Sequence, residues 1–216
     1  MAATASPFGL KPIQLIGGQS FNGGVIREYK LPSNVAAAYY TGSVIYMNTN
    51  GVPTPIAATP LAANIPASAG NATAGTAGIL GVCVGVRFVN PATNQPLYSQ
   101  YLQGGAITAG FTDVYIRVCD DPDQLYSIQA ATVVGSKTNG ALGAIGQNAA
   151  LTGFSGNATT GLANTALDTG SNWGSCTTTP TLAMRIVDII TPSDTYPEVL
   201  VKFNFGAHSY YNPVGV

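Results

Sequence analysis

From Gly78 to Val86 the chain reads Gly-Ile-Leu-Gly-Val-Cys-Val-Gly-Val, nine residues without a charge, followed by Arg87, Phe88 and Val89. So apolar a stretch reads as a strand buried on both faces, or as one bent sharply at its glycines. Either form needs further layers of chain around it. Helices are poor candidates for those layers. Gly occurs 26 times and Pro 14 times, and the polar residues are mostly Thr, Asn, Ser and Gln, a mix that favours strands and turns.

Other strands can be read in the same way. Gly24 to Leu31 ends at Pro32, and Ser43 to Asn48 is β-branched and aromatic. Asn50-Gly51 then signals a hairpin turn, with Val52 to Ile56 returning as an edge strand limited by Pro53 and Pro55. Asp113 to Gln129 reads as the clearest hairpin: Val114, Ile116 and Val118 alternate with Tyr115, Arg117 and Cys119, and Asp120-Asp-Pro-Asp123 supplies a turn. Near the end, Leu182 to Ile190 stops before Pro192, and Val199, Val201, Phe203 and Phe205 alternate with Glu198, Leu200, Lys202 and Asn204. About eight strands separated by turns predict a mainly β fold, an antiparallel β-barrel or sandwich.

Two regions stand outside that pattern. Residues 1–24 read as an extended N-terminal arm in which Phe8, Leu10, Ile13, Leu15 and Ile16 have no obvious local core. An edge strand on the arm's own domain is the alternative. Residues 131–181 carry only two charges, Lys137 and Asp168, and read as a loop-rich insertion with short helices. Its anchors would be Leu142, Ile145, Phe154, Leu162, Leu167 and Trp173. Residues 25–216 are then one β-rich domain containing that insertion.

Charged residues make up 8% of the chain, against about 25% in a typical soluble protein. With little charge to keep copies apart, such a chain is expected to live against other protein. A net charge of −1 argues against nucleic acid, which requires a basic stripe for phosphates. No apolar run approaches the roughly 20 residues needed to span a bilayer, so no membrane partner is expected. The start, Met1-Ala-Ala-Thr-Ala-Ser6, lacks a basic region and apolar core, which predicts synthesis in a cytoplasm without general export.

The residues offer little chemistry. His208 is the only histidine, and no G-x-S-x-G or comparable nucleophile signature accompanies it. Asp120, Asp121 and Asp123 lack the remainder of a calcium loop and read as turn residues. Glu28 and Glu198 are the only glutamates, and nothing marks them as a glycosidase pair. The Gly-Gly pairs fit neither a phosphate loop nor a dinucleotide fingerprint. Cys83, Cys119 and Cys176 are too few and too widely spaced for a structural zinc site and read as reduced packing residues. No catalytic residue, metal or cofactor is expected. Tyr29, Tyr39, Tyr40, Tyr98, Tyr101, Tyr210 and Tyr211 read as core and interface material, with sugar binding the lesser alternative.

Four segments carry a family resemblance. Ser6-Pro-Phe-Gly-Leu-Lys-Pro12 with Phe21-Asn-Gly-Gly24 is similar to an "APFGLRP…YNG" opening. Thr41-Gly-Ser-Val-Ile45, Gly51 and Gly78-Ile-Leu-Gly-Val82 resemble a "GDPV…G…GV" core, with Ser43 in place of the usual Asp. Asp113 to Gln129 resembles "VxDDPxxxFxVQ", and Val201-Lys-Phe-Asn-Phe-Gly-Ala-His208 with Gly215-Val216 resembles "V-x-x-N-x-H…G". In this order the segments resemble capsid decoration or cement proteins of tailed bacteriophages. The resemblance implies a non-enzymatic virion protein on the capsid surface, assembled in the host cytoplasm. Its implied partners are the major capsid protein and further copies of itself, as a homotrimer. Phe8, Leu10, Ile13, Leu15 and Phe21 are the expected interface residues. A receptor- or glycan-binding module using exposed Tyr and Trp, another head or tail component, and a glycan hydrolase using Asp120, Asp121 or Asp123 are the competing expectations.

Overall fold

A computed structural model describes residues 5–20, 26–48, 50–56, 78–131, 141–180, 182–192, 195–204 and 208–211. The N-terminal half contains β1 (Lys11–Leu15), β2 (Ile26–Lys30), β3 (Tyr39–Tyr40), β4 (Val44–Met47), β5 (Pro53–Pro55), β6 (Ile79–Asn90), β7 (Gln95–Ser99) and β8 (Tyr101–Leu102). It is followed by β9 (Thr112–Cys119), β10 (Gln124–Gln129), β11 (Asn148–Thr152), β12 (Gly156–Asn157), β13 (Leu162–Ala163), β14 (Ala166–Asp168), β15 (Met184–Ile189) and β16 (Glu198–Phe203). Helical structure among the described residues is limited to 3-10 turns, including Ala141–Ala144, Ser171–Trp173 and Ser209–Tyr211.

Two six-stranded sheets dominate. Sheet 1 has the order β1-β10-β16-β15-β11-β14, and sheet 2 has the order β2-β9-β6-β4-β5 with β7 also paired to β6. All these pairings are antiparallel. The fold is mainly β, as the strand patterns predict, and the sheets form a sandwich; neither closes into a barrel. The long apolar stretch is β6, twelve residues paired on both sides and buried over most of its length. Its Ile79 and Val82 join the core shared with Tyr126, Ile128, Met184, Val201 and Phe203 of sheet 1. Its Leu80, Cys83 and Val86 enter a second core with Tyr39, Leu102, Val114 and Ile116. Burial on both faces of β6 thus gives sheet 2 one core against sheet 1 and another on its far side.

The expected β4–β5 hairpin forms for local reasons. Asn48 Oδ1 accepts the backbone N–H groups of Asn50 and Val52, each at 2.9 Å, and Gly51 takes the left-handed conformation at φ 69°. Pro53 and Pro55 are tolerated because β5 is an edge strand.

The Asp113–Gln129 expectation needs correction. β9 pairs with β2 and β6, whereas β10 pairs with β1 and β16. The aspartate turn is therefore an arch that carries the chain from sheet 2 to sheet 1, not a hairpin tip. Asp121 builds its local geometry: its Oδ1 accepts the Asp123 N–H at 2.8 Å and its carbonyl accepts the Gln124 N–H at 3.2 Å. Period-2 alternation marks both strands but carries no information about which neighbour each selects.

Residues 131–181 also differ from expectation. Residues 141–180 do not hang outside the fold: β11 pairs with β15 and β14, extending sheet 1. Leu167 and Trp173 are fully buried anchors, as predicted, and Leu151 is a third that the residues did not point to. Leu142 and Ile145 are not anchors, being 55% and 40% exposed. Residues 132–140 lie outside the described residues.

Candidate interaction surface

The N-terminal arm is the first place to look, and it is tied down. Lys11–Leu15 is the edge strand of sheet 1, paired to β10. Just before it, Gly9 and Gly42 meet backbone to backbone. A Cβ on Gly9 would stand 2.7 Å from Gly42 Cα, and both residues have positive φ. The Leu10 N–H donates to the Gly42 carbonyl at 3.0 Å across this contact. Only glycine allows so close an approach in that conformation. Residues 9–15 are therefore part of the domain, and the alternative of an edge strand on the arm's own domain describes them.

This packing sorts the five expected interface residues. Leu10 is 1% exposed and belongs to the core between the sheets, so the expectation that it contacts a partner is corrected. Phe8 and Leu15 are half-buried, and Ile13 is 38% exposed. Phe21 lies outside the described residues. Phe8, Leu10 and Ile13 converge on one groove of about 640 Å³, which Leu15 does not line. Its other walls include Pro12, Thr41, Leu162 and Ile190, with Lys11, Ser127 and Glu198 along the polar side. Ile190 is 49% exposed. Thr41, Leu162 and Ile190 come from distant segments and are not among the expected interface residues; Leu162 is expected as an anchor and Thr41 as part of a core motif. The position of Ile190 just before Pro192, at the end of a strand, was the only available signal.

The groove lies on the outward side of sheet 1. Val199, Val201 and Phe203 of β16 point into the core, so Glu198, Leu200 and Lys202 face out. Ser127 sits opposite Leu200, and Lys11 opposite Ser127, on that same side.

A second polar constellation surrounds the arch. Asp120 is 3% exposed and accepts hydrogen bonds from Tyr29 Oη at 2.7 Å and Tyr210 Oη at 2.8 Å. Arg27 Nε is 3.4 Å from the same carboxylate oxygen, and the Arg27 guanidinium lies over the Tyr210 ring. Burial, with these hydrogen bonds added, pushes the Tyr29 phenol far above its ordinary range. Asp123 accepts from Lys202 Nζ at 2.6 Å and from Tyr211 Oη at 3.3 Å. The Lys202 hydrogen bond holds the Asp123 carboxyl below its usual value. Tyr210 and Tyr211 thus fasten the last 3-10 turn to the arch that joins the sheets.

His208 is 0% exposed and stands at this junction. Its backbone bridges to Ile79 of β6, and its ring packs 5.9 Å from Phe203 and 5.2 Å from Tyr210, centroid to centroid. Nδ1 accepts the Tyr210 N–H at 3.3 Å, which a neutral ring can do. Burial pushes its pKa down to about 4 against the opposing pull of Asp120 and Asp121. Cys83, Cys119 and Cys176 are buried free thiols, and burial raises the first two to about 12 and about 11. Among the described residues no three His, Cys, Asp or Glu side chains gather as a metal site. The three arch aspartates diverge, Asp120 to tyrosines and Arg27, Asp121 to backbone, and Asp123 to Lys202. Also among the described residues, no helix is long and apolar enough to cross a membrane.

Trp173 is 0% exposed, so it cannot supply the sugar-binding surface expected of an exposed tryptophan, whereas Tyr98 is 70% exposed. No family model, curated protein or solved structure matches the chain.

Proposed function

We propose that this chain is a non-enzymatic structural protein of a phage particle, binding the outer capsid surface and cementing major capsid subunits as a homotrimer. The observation that carries the proposal is the groove on the outward side of sheet 1, where Phe8, Ile13, Leu162 and Ile190 form apolar walls. It belongs to a chain with only 8% charged residues, so a large surface can be covered at low desolvation cost. The ordered motifs from Ser6 to Val216 supply the capsid as partner. Many weak copies on one shell would add their contacts through multivalency.

The test is to add the purified protein to undecorated heads and measure stoichiometry and heat resistance. Saturable binding that raises the temperature of head disruption supports the proposal. Absence of both binding and stabilisation would sink it. A glycan-binding module is the second reading, favoured by Tyr98 standing beside Arg87 on the neighbouring strand. Binding of the isolated protein to envelope glycans, without affinity for heads, would select it.

A further inference from the structure

Arg185 and Lys202 stand directly opposite each other across β15 and β16. Both point outward from sheet 1, because Met184, Ile186, Val201 and Phe203 around them point into the core. Like charges directly opposite on one face destabilise a sheet. Lys202 is balanced by Asp123 at 2.6 Å. Arg185 is not: among the described residues no carboxylate forms an ion pair with it or with Lys11, farther along the same side, although Arg27, Lys30, Arg87 and Arg117 each have one. Asp188, on the same strand, is turned to its neighbour and accepts the Ile189 N–H at 2.8 Å.

The guanidinium is also held in place. Arg185 Nε donates to Asn148 Oδ1 at 3.0 Å. Asn148 is 1% exposed, and its amide donates to the Thr179 carbonyl at 2.9 Å, which fixes the direction of its oxygen. Arg185 thus lines a hollow of about 260 Å³ together with Ile16, Val187, Lys202, Phe203 and Tyr211. Ile16 is 54% exposed. The sheet retains an unfavourable cation pair and orients the unbalanced member in a hollow whose apolar walls are Ile16, Val187 and Phe203 and whose polar walls are Lys202, Asn204 and Tyr211. A local rule broken without a compensating partner is a feature of functional or strained sites.

We propose that this hollow receives an Asp or Glu side chain of a protein partner, with an adjacent apolar residue covering Ile16 and Val187. The proposal rests on the reading of sheet 1 as a docking face. Arg fits a carboxylate through two parallel N–H···O bonds. A phosphate polymer would call for several unbalanced cations in a row, and among the described residues this hollow holds one.

Two experiments on the full chain test it. In the first, the backbone amide and Arg side-chain signals are followed by NMR while the capped peptide Ac-Ile-Glu-Leu-NH2 is added. The expected result is saturable shifts at Arg185 Nε–H, Val187 and Phe203. The Gln twin Ac-Ile-Gln-Leu-NH2 should bind at least about tenfold more weakly. Arg185→Gln should abolish the shifts and Arg185→Lys should weaken them. Equal binding of the Gln twin, shifts elsewhere, or none up to the solubility limit would overturn the proposal. In the second, Arg185→Glu and Arg87→Glu are compared for occupancy on undecorated heads, with Arg185→Gln added in case charge reversal impairs folding. Loss confined to the Arg185 variants is expected, and undiminished occupancy would overturn the proposal. Wild-type protein that binds the peptide but no heads would leave the carboxylate site standing and remove the capsid reading.

Discussion

The two sheets treat charge differently. On sheet 2, Lys30, Tyr115, Arg87 and Tyr98 form a row across four strands, and Glu28 lies opposite Arg117. Arg87 sits 4.2 Å from the centre of the Tyr115 ring and 3.4 Å from Glu28, while Lys30 is 3.5 Å from Asp113. Each cation on that face meets an acid: Lys30 pairs with Asp113, and Arg87 and Arg117 share Glu28. The outward side of sheet 1 holds Lys11 and Arg185, neither in an ion pair among the described residues, and two hollows edged by exposed Ile13, Ile16 and Ile190. A surface that satisfies its own charges suits water, whereas one that exposes apolar side chains and leaves a cation unmatched suits a partner. The difference distinguishes faces of a molecule whose overall composition is uniformly poor in charge.

The largest expected effect tests whether sheet 1 is one continuous platform. Trp173→Ala removes a fully buried side chain from the region that completes that sheet. Denaturant unfolding should show a loss of about 3–5 kcal/mol. A loss below about 1 kcal/mol would mean that residues 141–180 contribute little to the platform.

The next effect tests the junction that holds the two sheets together. His208 has a pKa of about 4 in the folded chain against an ordinary 6.5. Between those values the unfolded chain binds a proton that the folded chain does not. Stability is therefore highest above pH 6.5, falls as the pH drops toward 4, and loses nothing further from this group below that. The loss is on the order of 3 kcal/mol. Urea titrations across this range should show the slope, and His208→Phe should flatten it. An unchanged slope in the variant would assign the acid sensitivity to another group.

Smaller effects separate the faces directly. Ile190→Asp places a carboxylate on the groove wall at a half-exposed position. Unfolding free energy should change by about 0.5 kcal/mol or less, while affinity for heads falls at least about tenfold. Arg87→Ala on sheet 2 should cost about 1 kcal/mol or less and leave head affinity unchanged. The reverse pattern would exchange the roles assigned to the two faces.

Much of this contrast was open to a reader of the residues, but not the assembly behind it. The uncharged run Gly78–Val86 identified the doubly buried strand because burial on both faces leaves no polar side. Asn50-Gly51 identified a hairpin through side-chain and glycine chemistry confined to five residues. The Asp120–Asp123 turn was read correctly as a turn and wrongly as a hairpin tip. Its aspartates stabilise a reversal, but whether the next strand joins the same sheet depends on distant partners, here β1 and β16. Strands β11 and β14 are not legible because Ala, Gly and Asn dilute their alternation, and they form by pairing with each other and, through β11, with β15. The candidate surface was half legible: Phe8 and Ile13 stood out as apolar residues without a local core. Leu10 looked identical to them and is core, because its cover arrives from segments far along the chain. Arg185 could have been found by aligning Met184–Ile189 against Glu198–Phe203, which sets it opposite Lys202.

The most direct measurement is a density map of the intact particle at side-chain resolution. The account predicts the outward side of sheet 1 against the shell, with Ile13 and Ile190 buried there and an acidic side chain at Arg185. The Lys30–Tyr115–Arg87–Tyr98 ladder should face solvent. A map with that ladder against the shell and the sheet 1 groove open to solvent would contradict it.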